Sequence, residues 1–310
     1  MRRNSIVKLA LGCFLSMTAA FAATDSQGAG PARQVTPNGP GIAGVYGTQY
    51  ANSSEFLSTT DGIKSAAASG APTLVWETLE HGEKVECLDC IPLVAPLLYD
   101  TNAKTREIAA WWLRRRVFGV FGDGEVYQQT IQTLQTDSDP VRRSYAAYAL
   151  GEFFAAPGIA ACASSVIADG DARVRSASAS ALGRLNSDGG GALGVALRDS
   201  DATVRLAALA SAGRINSFSS ASGLAALTTD SSSDVRRRDI EILDALNVVD
   251  ALAPVTAAAQ NDADPRVRAV ACHALGTFGN SAALPALQNL SQNDPDVFVR
   301  DQATIAMRRL

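Results

Sequence analysis

The chain has 310 residues, 47% of them hydrophobic but only 6% aromatic, and a formal net charge of −4. This length holds one or two ordinary domains or one extended array, with a sizeable apolar core in either case. The charge excludes an overall positive field that would draw the protein to nucleic acid or anionic lipid, and the alanine-rich, aromatic-poor balance suits close helix packing better than a β-sandwich.

The first stretch, MRRNSIVKLALGCFLSMTAAFAA, has the order of a secretory signal peptide. Arg2 and Arg3 precede an apolar run from Leu9 to Met17. The small-residue pattern Ala20-Phe21-Ala22 then places cleavage after Ala22, with Ala23 as the neighbouring alternative. A lipid anchor on Cys13 is disfavoured. Ala10 stands where a large aliphatic residue is preferred, and little apolar sequence precedes the site. No other segment approaches the roughly 20 apolar residues of a membrane span. Residues 1–22 are expected to be removed, leaving an exported chain, periplasmic or extracellular, without a membrane span.

Residues 23–75 are rich in Gly, Ala, Ser, Thr and Pro, as in DSQGAGPARQVTPNGPGIAGVYGTQYANSS, and apolar periodicity is absent. Such composition buries too little apolar surface to fold by itself, so a mostly disordered leader is expected. It leaves room for short ordered pieces around Val45–Tyr50 and Phe56–Lys64.

Residues 76–310 repeat themselves. Compare DPVRRSYAAYALGEF from Asp139, DARVRSASASALGRLNS from Asp171, DATVRLAALASAGRINS from Asp201 and DPRVRAVACHALGTFGN from Asp264. Aligned on one arginine, the units are anchored at Arg106, Arg143, Arg175, Arg205, Arg236, Arg268 and Arg300, with spacings of 37, 32, 30, 31, 32 and 32. A catalytic motif needs to occur once; a line recurring at this interval is a building unit. The residue before the anchor is mostly valine, three after it is mostly small, and six and seven after it are commonly Ala-Leu. These offsets fall on one face of a helix. Gly151, Gly183, Gly213 and Gly276, eight after their anchors, either let a neighbouring helix come close or end the helix.

A second helical trace precedes each of these, as in CIPLVAPLLYD, GALGVALRDS, LAPVTAAAQND and ALPALQNLSQND. Pro92, Pro254 and Pro285 suit its first turn. Between the two helices lies an Asp-rich turn whose Asp or Ser can accept hydrogen bonds from the free N–H groups of the following helix. One helix pair cannot bury both of its sides alone, whereas stacked pairs can. The expected fold is an all-α solenoid of about seven pairs.

The line Asp-x-x-Val-Arg-x-x-Ala-x-x-Ala-Leu-Gly, as in Asp171–Gly183 and Asp264–Gly276, resembles HEAT repeats, particularly the short variety called phycobilisome-lyase HEAT-like. The resemblance covers about Cys90 to Leu310. It implies a ladder in which the repeat arginines and aspartates pair between successive turns. Its expected members are Asp139, Arg143, Asp171, Arg175, Asp201, Arg205, Arg236, Asp264, Arg268 and Arg300. The rival reading of the arginine column is a track for phosphate or an acidic partner. An aspartate about four residues before most of these anchors favours the internal ladder. The fifth unit departs, with Asp239 and Asp244 at the small and glycine positions; looser packing or a surface-facing irregularity is expected there.

Other features could carry chemistry. Cys87-Leu-Asp-Cys90 fits a local disulfide, with free thiols as the alternative. A thioredoxin-like role lacks its βαβ context, and haem attachment fails because Ile91 stands where histidine is required. Zinc would need two further ligands, and only His81 and His273 exist. Trp111, Trp112, Arg114, Arg115 and Arg116 read first as a capping repeat, with Trp112 covering an exposed end, and second as an interaction patch. Cys272 is expected to be half-buried and His273 to face solvent. Gly-rich Ser187–Gly194 falls where an inter-repeat loop is due, with no strand before it to make a phosphate cradle.

No nucleophile elbow, phosphate loop or zinc-protease motif occurs, so no catalytic residue, cofactor or metal is assigned. The expectation is an exported, non-catalytic scaffold for a protein partner, not a nucleic-acid binder. The alternatives are a lyase-like enzyme or enzyme accessory subunit, and a structural component tethered to an envelope assembly.

Overall fold

The computed structural model describes residues 57–117, 124–215, 218 and 221–310. The stretch read as a signal peptide, Cys13 and the expected leader up to residue 56 lie outside these. Among the described residues every regular element is helical.

Helical order begins before the boundary expected at residue 76, starting within the short ordered piece expected around Phe56–Lys64 and running beyond it. Helix α1 (Thr60–Ser69) is capped by the Thr59 hydroxyl, which accepts from the Gly62 N–H, and it ends at Gly70 in the left-handed conformation, φ 63°. Helix α2 (Pro72–His81) follows. Ile63, Ala66, Val75 and Leu79 are buried, so the small-residue composition of this stretch conceals two amphipathic faces.

Seven helix pairs follow. The first combines α3 (Ile91–Val94) and a 3-10 turn (Ala95–Tyr99) with α4 (Ala103–Arg114). Then come α5 (Glu125–Thr136) with α6 (Pro140–Phe153), α7 (Pro157–Ala168) with α8 (Ala172–Arg184), and α9 (Ala192–Ala196) with α10 (Ala202–Ala212). The fifth pair joins α11 (Ala221–Ala225) and a 3-10 turn (Ala226–Thr229) to α12 (Ser233–Ala245). The last two are α13 (Leu252–Asn261) with α14 (Pro265–Phe278), and α15 (Leu284–Asn293) with α16 (Val297–Met307). Each second helix packs on the second helix of the next pair, and α2 packs on α4, so α1 and α2 cover the front of the stack. This is the expected all-α solenoid.

The seam between second helices is built from the small column. Ala109, Ala146, Ser178, Ala208, Ala271 and Ala303 stand three residues after their arginines, and each has 0% exposure. Asp239, at the same offset in α12, also has 0% exposure, which corrects the surface-facing alternative of the two expected there. Gly151, Gly183 and Gly276 lie inside their helices and serve close approach, whereas Gly213 stands at the end of α10. A Cβ at Gly183 would lie 2.8 Å from the Ser211 Cα, and one at Gly276 would lie 2.8 Å from the Ala306 Cα. In each case the glycine of one second helix faces the residue six after the anchor in the next.

Substituting Gly183 or Gly276 by alanine is expected to lower stability by about 1 to 3 kcal/mol, because backbone must move, despite alanine's better helix propensity. Gly170→Ala, where a Cβ meets nothing within 4 Å, is the control and should stay within about 0.5 kcal/mol. Urea denaturation of the three variants checks this.

Candidate interaction face and arginine ladder

The repeat arginines form a ladder, but with aspartates other than those expected. Arg143 binds Asp169 through two hydrogen bonds, Nε to Oδ2 at 2.8 Å and Nη2 to Oδ1 at 2.9 Å. Arg175 holds Asp199 in the same way at 2.7 and 2.9 Å, Arg236 holds Asp262 at 2.6 and 2.8 Å, and Arg268 holds Asp294 at 2.8 and 2.9 Å. Arg205 pairs with Asp230, both contacts at 2.7 Å. Each carboxylate belongs to the next helix pair. With its Nη1 the same guanidinium donates to a carbonyl of its own turn, six residues back: Asp137, Asp169, Asp199, Asp230 and Asp262.

Asp139, Asp171, Asp201 and Asp264 are N-caps instead. Each accepts from the backbone N–H two residues on, those of Val141, Arg173, Thr203 and Arg266. That capping role was expected of the Asp-rich turn; the ladder role was not theirs. Geometry explains the exchange. A carboxylate folded back over the first turn of its own helix cannot also reach a neighbouring pair, whereas one two residues earlier faces the preceding arginine. The signal was present in the sequence, because aspartate precedes every anchor by six residues, as Asp100, Asp137, Asp169, Asp199, Asp230, Asp262 and Asp294. Arg106 departs: its Nη1 donates to the Asp100 and Thr101 carbonyls, and its guanidinium lies 3.8 Å from the Tyr145 ring centre. Arg300 donates to the Asp294 carbonyl at 2.7 Å.

The ladder carboxylates Asp169, Asp199, Asp262 and Asp294 titrate below the ordinary aspartate value. For Asp199 and Asp294 the bonded arginine, Arg175 or Arg268, is the main cause. For Asp169 and Asp262 burial is the largest single influence and acts upward; the arginine and a backbone N–H together outweigh it. In these pairs both partners are mostly buried and committed to each other, so they brace successive repeats.

The expected patch at the first pair divides in two. Trp112 has 0% exposure and donates its Nε1–H to the Gly82 carbonyl at 3.1 Å. It therefore seals the joint with α2 instead of covering an open end. Arg116 is buried as well. Its guanidinium lies 3.8 Å from the Trp112 ring centre and donates to the carbonyls of Trp112, Glu83 and Val85. Burial, with Arg115 nearby, pulls its pKa down to about 10. Trp111, Arg114 and Arg115 remain at the surface, Arg115 in an ion pair with Glu83 at 2.7 Å.

These residues belong to a longer row. Trp111 and Tyr148 stand five after their anchors, and Arg115, Glu152 and Arg184 stand nine after theirs, so successive second helices present them in register. Arg184 pairs with Glu152 and lies over Tyr148, 4.8 Å from its ring centre; Arg114 lies over Phe154, which is 54% exposed. Every Trp and Tyr in the chain precedes residue 149, so the aromatic part of the row is confined to α4 and α6. Further along, offset five carries Ala210, Glu241, His273 and Ile305, and offset nine carries Arg214, Ala245, Thr277 and Arg309.

Cys87 and Cys90 are brought together before α3, their Cα atoms 5.2 Å apart. Cys162 and Cys272 are fully enclosed, Cys272 more so than expected, and burial pushes both thiols up to about 12. His273 is half-exposed, as expected, but engaged: Nδ1 lies 2.9 Å from Asp244 Oδ2, and Nε2 accepts from Arg309 at 3.1 Å. Among the described residues no group of three or more His, Cys, Asp or Glu could hold a metal ion, and no helix is long and apolar enough to cross a membrane. Ser187 to Gly191 form the loop leading into α9, and Ala192 to Gly194 are already its first residues.

Residues 221–308 match the family model described as HEAT repeats. The last three pairs, which fall within that range, match HEAT repeats. The solved structure of YibA from Escherichia coli is similar, with 17% identity over 85% of this chain and 98% of that one and a TM-score of 0.56. A chain in the structure of Kap95p with RanGDP is 14% identical over 86% of this chain and 46% of that one, with a TM-score of 0.51. The complex of CpcE and CpcF of phycocyanin lyase from Nostoc sp. PCC7120 gives 20% identity, 71% and 92% coverage and a TM-score of 0.39. At such identities the likeness is one of fold. No curated protein matches the chain. HEAT repeats offer an extended, rigid surface, the architecture of a protein-interaction scaffold.

Removing one side of a ladder pair should cost more than removing a cap. Arg175→Ala is expected to lower stability by about 2 to 4 kcal/mol, since Asp199 is left mostly buried and unpaired. Asp171→Ala should cost about 1 kcal/mol. The sign of the pH effect follows from the depressed carboxylates: their contribution is complete above the ordinary aspartate value and is lost as pH falls through the lower folded values. Thermal melts should therefore drop steeply below about pH 4 in the native chain and less steeply in Asp199→Asn.

Proposed function

We propose that the protein is an exported, non-catalytic scaffold that binds another protein through the row formed by Trp111, Tyr145 and Tyr148 with Arg114, Arg115 and Arg184. The reading is carried by one observation. Five residues after the anchor α4 and α6 carry the half-buried rings Trp111 and Tyr148, and nine after it α4 and α8 carry Arg115 and Arg184, with Arg114 and Tyr145 beside them, although the fold needs only a small or polar residue at the ring position, as Ser180 and Ala210 show. Aromatic rings and arginine provide large contact area at low entropic cost, which is why they dominate binding hot spots. The cation–aromatic stacks hold these long side chains in place before a partner arrives. Export is supported by the signal-like first residues and by the short Cys87–Cys90 span, whose cysteines we propose are oxidised in the mature chain.

Capture of partners from the exported fraction tests the first claim. A Trp111→Ala/Tyr148→Ala chain should lose about tenfold or more in partner affinity while melting within a few degrees of the native protein. Thr277→Ala on the distant end of the same face should bind normally. Equal capture by both variants would remove the row as the contact surface. For the cysteines, alkylation of the denatured mature chain without reductant should modify Cys162 and Cys272 alone; modification of Cys87 and Cys90 under those conditions contradicts the bond.

A further inference from the structure

Asp239 sits where a methyl group is expected. The six equivalent positions hold Ala109, Ala146, Ser178, Ala208, Ala271 and Ala303, and all seven side chains are completely buried in the seam between second helices. Neither carboxyl oxygen of Asp239 has a hydrogen-bond partner. An ionised carboxylate enclosed without a protein donor or counter-ion is costly by several kcal/mol, so the closed seam strongly prefers the neutral acid.

The surrounding charges do not relieve this. From α10 the one titratable group is Arg205, which is committed to Asp230. Helix α11 and the turn Ala226–Thr229 carry no ionisable side chain, but Asp230 directly after them adds a like charge. From α14, Arg268 is held by Asp294, Arg266 by Asp264, and His273 by Asp244 and Arg309, while Cys272 is a neutral buried thiol. On α12 itself Arg236 is bound to Asp262, and Arg237 and Arg238 to Glu241. Its remaining acids, Asp234 and Asp244, are further like charges.

We propose that the seam around α12 is a proton-latched joint: it closes with Asp239 protonated and opens more readily as pH rises. Burial, reinforced by Asp230, pushes the Asp239 carboxyl up to about 8 in the closed stack. In an opened seam water ionises it near the ordinary value of about 3.9. Between those limits each opening releases one proton, so the opening equilibrium climbs about tenfold per pH unit and levels off above the closed-state value. Opening here would let the pairs up to α10 and the pairs from α14 hinge against each other, changing how the two parts of the face are presented. An exported chain meets unbuffered pH; that setting rests on the proposed export, whereas the latch itself does not.

Hydrogen exchange of the full mature chain, with rates corrected for the intrinsic pH effect, provides the test and needs no partner. In the native protein the opening equilibrium of α12 amides should rise about a hundredfold between about pH 5 and about pH 7. In Asp239→Asn and Asp239→Ala it should change less than about threefold, and amides of α6 and α8 should respond alike in all three chains. Alanine is the residue the seam carries in five other pairs, so a folded variant is assured even if asparagine disturbs the packing. Both variants should also melt higher than the native chain at neutral pH, with the gap closing toward about pH 4. The proposal is overturned if the native α12 amides show no pH dependence beyond that of the variants. Carbon-detected titration of Asp239 in the folded protein with a midpoint near 4 would equally overturn it, since about 4 is the unperturbed value.

Discussion

One guanidinium per repeat holds the stack together. Its Nη1 closes the turn it grows from, and its Nε and Nη2 grip the carboxylate of the following turn, so each arginine fixes local structure and the approach of the next pair at once. The two jobs need a planar group with donors on separate edges. Lysine, a single point charge, can satisfy one partner but not hold the angle between two. The carboxylate in turn accepts the backbone N–H two residues on, as Asp199 does from Asp201, which pins the recipient turn before the next helix begins. Repeated from Arg143 to Arg268, this clamp gives the array its direction and its near-constant interval.

The clamp sets the corners, while the small residues set how deeply the helices nest. With alanine and glycine along the seam, backbones come within van der Waals contact, and little side-chain entropy is lost on packing. The cost is a modest apolar area per helix, which is compensated by multiplying pairs rather than enlarging a core. It also leaves the outward offsets free of packing duty. At the first pairs these offsets carry rings and arginines, and the same side-chain types, turned inward, seal the joint to α2 as Trp112 and Arg116. Identical chemistry one residue apart thus serves stability on one side and, in the proposed function, recognition on the other.

The fifth pair breaks the rules that its neighbours obey. Asp239 replaces a methyl in the seam, and Asp244 replaces the glycine and reaches His273 on α14, which in turn meets Arg309 beyond α16. Polar links here stand in for the close backbone approach seen at Gly183 and Gly276. A buried acid without a partner is a stored penalty, and such penalties are usually retained where motion or response matters.

Much of this was legible without coordinates. A column that recurs seven times reports its own environment, so the helix pairs, the buried valine and alanine faces and the N-capping aspartates could all be read from periodicity. The ladder partners could not be taken from proximity in sequence: the aspartate four before the arginine caps its own helix, while the one six before it crosses to the preceding pair. Nor could periodicity see α1 and α2, which lie outside the repeat, or the burial of Trp112, whose cover they provide. The sequence by itself determined the unit, its period and its stacking, because those follow from local helix geometry and from surface that must be covered. Which charge meets which, and whether an aspartate faces water or the seam, was decided by the tertiary structure alone, because side-chain environment depends on what the neighbouring pair brings to the same point in space.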